Sequence, residues 1–159
     1  MKQRRPTIPI SQWRIALNFE ETSKVQNQKG TPAHGCSCES CEYWRLTYSS
    51  ILPEQILEQL LRLGIGIDTP SDVYEHGEEE DGRAFRVIFH VVGKFLSGSE
   101  YYKYDELLDR NLLNYQILRD RPYFSIVVLP HSESYDVAPE YKKNKDGELI
   151  TIDMRLSIP

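Results

Sequence analysis

His34, Cys36, Cys38 and Cys41 fall within eight residues, and the 159-residue chain has no other cysteine. Thiolate and imidazole are the ligand types that suit Zn²⁺. Cys38-x-x-Cys41 is the usual two-ligand knuckle, a turn that aims two sulfurs at one ion; Cys36-x-Cys38 is a less common spacing. A complete site inside this octapeptide needs a tightly coiled loop, which Gly35 and Ser37 favour. A more relaxed site would draw a fourth ligand from His76, His90 or His131. The expectation is one zinc ion on His34, Cys36, Cys38 and Cys41, in a structural role. Two other readings use the same residues. Cys38 and Cys41 ahead of a helix start would place a thiol near the positive end of a helix dipole, the setting of a thiol-dependent oxidoreductase or metal-handling protein. Alternatively, the three are reduced, partly buried thiols with no chemical task.

Little else in the chain carries chemistry. Gly-x-Ser-x-Gly, His-Glu-x-x-His and phosphate-binding glycine loops are missing, and Gly64-Ile65-Gly66 lacks the third glycine of a dinucleotide fingerprint. His90, within an apolar run, reads as a hydrogen-bonded sheet histidine. A non-enzymatic protein is therefore expected. Glu78, Glu79, Glu80 and Asp81 form an acidic tip suited to a basic protein partner. Tyr101, Tyr102, Tyr104, Tyr115 and Tyr123 supply interface area or core packing.

The elements that must position these groups follow from periodicity. Trp13, Ile15, Leu17 and Phe19 alternate with polar residues and predict a strand. Residues 21–33 are polar and aperiodic and predict a loop leading to the cysteines. Trp44 and Tyr48, four apart, suggest a short helix over 42–50. Residues 53–63 give the strongest helix pattern, with Ile56, Leu57, Leu60, Leu61 and Leu63 as its apolar stripe and Pro53 at its start. A short strand over 72–75, an acidic hairpin loop over 75–83 and a long central strand over 84–96 follow. Asp105 is read as the cap of a second, weaker helix to about residue 115. Strands over 123–129 and 150–158 close the chain, the latter after a turn at Lys145-Asp146-Gly147. This order predicts a single α+β domain, with a Cys-rich loop at about 30–44 and a mainly antiparallel sheet bearing the 53–63 helix on one face.

A net charge of −5 argues against nucleic acid as the main partner, since phosphate binding needs a clustered basic face. No targeting pattern and no long apolar span is legible, so a cytoplasmic protein without membrane contact is expected. The series Cys38-x-x-Cys41-x-x-Trp44-Arg45, Leu63-Gly64-Ile65, Val73-Tyr74-Glu75 and His90-Val-Val-Gly93 resembles a set of small bacterial proteins of unassigned activity, over about residues 36–96. The resemblance implies a bacterial source and a stand-alone domain, and it brings no catalytic residues. The functional expectation is a protein-binding module, in concrete form a bacterial immunity or antitoxin-type inhibitor.

Overall fold

The computed structural model describes residues 5–28, 35–134, 136 and 138–159. The fold is sheet-dominated α+β. Its strands are β1 (Thr7–Ile10), β2 (Trp13–Leu17), β3 (Asp72–Glu79), β4 (Gly82–Gly98), β5 (Tyr102–Asp105), β6 (Arg110–Leu113), β7 (Gln116–Arg119), β8 (Phe124–Pro130) and β9 (Glu148–Ile158). Its helices are α1 (Phe19–Gln26), α2 (Glu39–Ile51) and α3 (Glu54–Arg62). The main sheet runs β1-β2-β4-β9-β8-β7, all antiparallel, while β5 and β6 pair separately.

The 17-residue β4 organises the sheet. Its first half pairs with β3, its last residues from Gly93 with β2, and Arg83 to Gly93 with β9. Strand alternation sends Phe85, Val87, Phe89 and Val91 to one face, where Ile150, Ile152, Met154 and Leu156 of β9 join them. That face is covered by α2 and α3, through Trp44, Ile56 and Leu60, all fully buried. Gly93 lets β2 approach β4, because a Cβ there would collide with the Ala16 carbonyl oxygen.

Helix α3 confirms the 53–63 pattern with one change. Ile56, Leu60 and Leu63 are buried, but Leu61 is 60% exposed, so the packed stripe is narrower than the sequence suggests. Leu60→Ala should cost about 2–5 kcal/mol through lost burial and a residual cavity. Leu61→Ala should leave the urea midpoint nearly unchanged; equal effects at the two sites would show that the packed face is misassigned.

Three expectations are corrected. Helix α3 is not the principal helix, since α2 is longer, at 13 residues. The loop expected over 21–33 begins as helix α1: Asn18 caps it, accepting the Glu21 N–H at 3.0 Å, and the Thr22 hydroxyl both accepts from Val92 N–H and donates to Val92 O. Finally, the helix expected over 105–115 is the β5–β6 hairpin. Asp105 does cap the Leu108 N–H, at 2.9 Å, but as a turn, and Asp109 at φ 49° reverses the chain. The same acidic cap chemistry serves helix starts and turns, and here the two-strand pairing wins.

Candidate metal centre

Cys36, Cys38 and Cys41 converge at the amino end of α2. Their Sγ atoms all lie within 4.8 Å of one another, and among the described residues no fourth His, Cys, Asp or Glu ligand atom joins them. Tetrahedral coordination with Zn–S bonds of about 2.3 Å places sulfurs roughly 3.8 Å apart, so small side-chain rotations would bring these thiols onto one ion. Donor type and spacing both fit a thiolate-binding metal.

The cluster is built by local geometry. Cys38 is the N-cap of α2, in extended conformation (φ −65°, ψ 161°), and its N–H lies 3.4 Å from Cys36 Sγ. Cys41, one turn later, is carried inward with the helix and is buried, while Cys36 is half-buried and Cys38 exposed. Trp44 anchors the same helix face by donating Nε1–H to Ile67 O at 2.7 Å. Arg45, to which the sequence assigned no role at the site, ties the incoming loop: Nη2 donates to Cys36 O at 2.6 Å and Nε to Asp68 O at 3.1 Å. The loop thus reaches the helix with its direction fixed from both sides.

The thiols have unlike environments. The Cys41 backbone N–H, then the Cys36 and Cys41 thiols and the Ser40 N–H, hold Cys38 below its ordinary range. Burial first, then the two neighbouring thiols, pushes Cys41 up. Glu39, beside Cys38, forms an ion pair with Arg83 at 3.3 Å.

Of the other residues singled out by sequence, His34 lies outside the described residues. His76, His90 and His131 do not join the cluster. His90 is fully buried, with Nδ1 2.7 Å from Ser71 Oγ, and its ring meets the edge of His131 at 5.5 Å between centroids. The acidic residues sit around the β3–β4 turn. Glu78 and Glu79 are exposed, Glu80 pairs with Arg121 at 3.4 Å, and Asp81 accepts the Tyr123 N–H at 2.8 Å. Asp81 is therefore a tether between this turn and the start of β8.

A polar cluster on the second face of the sheet escaped the sequence reading. Arg86 donates to both carboxylate oxygens of Asp153 and to Asp136, and Tyr115 donates to Asp153 at 2.8 Å. The available signal was a charge set among apolar neighbours in each strand, Phe85-Arg86-Val87 and Ile152-Asp153-Met154. Such charges are tolerated in a sheet interior when they are paired.

No family model, curated protein or solved structure matches the chain. No helix of the described residues is long and apolar enough to cross a membrane.

Proposed function

We propose that Cys36, Cys38 and Cys41 hold one structural zinc ion in a non-enzymatic protein-binding domain. The observation that carries this reading is the convergence of all three sulfurs within 4.8 Å at the start of α2. His34, two residues before Cys36, is the sequence's nearest candidate for the fourth ligand. A closed, sulfur-rich site leaves no open coordination position for substrate. Bound metal would fix the loop to the helix that carries Trp44. Cys38→Ser is the informative variant, because Cys38 is exposed and its loss disturbs little packing. It should abolish metal binding and lower Tm by at least about 4 °C, the shift that ~1–2 kcal/mol produces in a domain of this size. Metal-linked stability should also fall as the medium is acidified, because protons compete for the thiolates. Unchanged metal content in Cys38→Ser would refute the assignment.

The binding role rests on the acidic surface and on the missing hydrolase and nucleotide motifs. Its concrete form is a bacterial immunity or antitoxin-type inhibitor that meets a basic protein at Glu78 and Glu79, with Glu80 and Asp81 shaping the turn. Replacing Glu78 and Glu79 by Ser should leave stability within about 1 kcal/mol, since exposed charges contribute little to folding. Binding to polylysine should weaken in this variant and with salt; identical isotherms would remove the tip from the interface.

A second reading is favoured by the placement of Cys38. An exposed thiol at the amino end of a helix, with buried Cys41 in reach, is the arrangement of a dithiol oxidoreductase. In that chemistry Cys38 would attack a substrate disulfide and Cys41 would displace the second thiol, leaving Cys38–Cys41 oxidised and the substrate reduced to two thiols.

A further inference from the structure

The second face of the sheet holds a cavity of about 500 Å³ between the β5–β6 hairpin and strands β4 and β9. Its size falls among small-molecule pockets, which bury an apolar body and orient it with a few polar groups. Although the chain as a whole carries −5, Arg86, Arg110 and Arg155 line this cavity, and among the described residues Asp136 is its one acidic lining residue. The three guanidiniums are not equivalent. Arg86 is engaged by Asp153 at 2.5 Å and by Asp136 at 2.7 Å. Arg110 and Arg155, in contrast, form no ion pair among the described residues.

Those two side chains come from different elements. Arg110 opens β6 in the hairpin, and Arg155 lies in β9 of the main sheet. The Arg155 guanidinium lies 4.7 Å from the centroid of the Tyr115 ring, so one flat cation is set over a flat apolar surface. Tyr115 itself is fixed by its hydroxyl, which donates to the buried Asp153. Leu112 and Leu113 supply apolar wall between the arginines and the tyrosine. Planar guanidinium groups match carboxylate and phosphate oxygens two bonds at a time, and Arg110 and Arg155 are both exposed to an incoming anion.

We infer that this cavity, walled by Arg110, Arg155 and Tyr115, binds a small planar molecule bearing a carboxylate or a phosphate. The anionic oxygens meet Arg110 and Arg155, and the planar body lies against Tyr115 and Leu112. Arg86 is held by its two carboxylates, so the anion is left to Arg110 and Arg155. The site is separate from the thiol cluster and does not depend on what the thiols bind.

The experiment is titration of the full chain with 1-naphthoate and 1-naphthyl phosphate, with 1-naphthamide as the uncharged counterpart, followed by calorimetry and by protein NMR shifts. Binding of either anion is expected, at least about tenfold tighter than the amide, and weakening in high salt. The relative response of the two anions separates a carboxylate ligand from a phosphate ligand. Arg110→Gln with Arg155→Gln should weaken the preferred anion at least about tenfold. Arg121→Gln, remote from the cavity, should leave it unchanged. Leu112→Trp should block it by filling the space. Failure of both anions to bind, equal binding of anion and amide, or full binding by the double arginine variant would each overturn the assignment. The anion–amide comparison needs only the natural chain, so it holds even where a variant folds poorly.

Discussion

Asp153→Ala is expected to destabilise the protein by about 3–5 kcal/mol, among the largest single losses this fold can suffer. Asp153 is fully buried in β9, with a side chain 1% exposed, and it accepts from Arg86 and Tyr115 together. Removing it strands the Arg86 guanidinium, itself only 13% exposed, with Asp136 as its remaining carboxylate partner. The Tyr115 hydroxyl, pushed well above the usual phenol range by burial and then by Asp153, would also lose its acceptor. Losing the more deeply buried of its two partners costs more than the intact pair contributes, because much of the desolvation of Arg86 is no longer offset by attraction. The paired change Arg86→Met with Asp153→Leu should therefore recover most of the loss. Urea unfolding of the three variants decides it: a single mutant within about 1 kcal/mol of the parent would show that the cluster is hydrated and not part of the sealed sheet face.

Acid should weaken the fold through His90. The ring is completely buried, and burial first, then the charge of neighbouring His131, pushes its pKa down to about 3. Among the described residues its Nε2 meets no protein partner, while Nδ1 bonds Ser71. The unfolded chain binds a proton at this site near pH 6.5, whereas the folded chain resists protonation until about pH 3. The stability contributed by neutral His90 is therefore intact above pH 6.5 and declines as pH drops toward 3. The slope is about 1.4 kcal/mol per pH unit, or roughly 3 kcal/mol lost by pH 4. His131, half-buried and lowered by burial against the opposing pull of Asp136, adds in the same direction with a smaller share. Carboxylates titrate in this window too, so the comparison that isolates His90 is parent against His90→Gln. The variant should show a pH dependence shallower by about one proton between pH 6 and 4; parallel curves would mean that His90 is protonated in the folded state.

The parts of this fold that were legible in sequence are those whose burial is local and periodic. Strand β4 announced itself because Phe85, Val87, Phe89 and Val91 alternate on one face, and α3 because Ile56, Leu60 and Leu63 recur at helical spacing. Helix α1 was invisible because it buries only Thr22 and Val25, and its hold on the sheet comes through the Thr22 hydroxyl and the Gln26 amide. Polar tethers of that kind leave no hydrophobic period. The β5–β6 hairpin failed for the opposite reason: Leu107 and Leu108 look like core residues in sequence, yet both are exposed at its turn. The same contrast separates the two polar sites. The cysteines lie within six residues and are drawn together by one helix start, so spacing alone exposed them. Arg86 and Asp153 are 67 positions apart and meet only through the β4–β9 register, which no local pattern encodes.

Cys36, Cys38 and Cys41 are proposed to act together as ligands of one metal ion. Elemental analysis of natively purified protein, combined with thiol titration before and after chelation, tests it most directly. About one zinc per chain is expected, with the three thiols shielded from reagent until chelator or denaturant releases the metal. A preparation with no bound metal and three freely titrating thiols would contradict it, and a reversible Cys38–Cys41 disulfide in place of metal would transfer the site to dithiol redox chemistry.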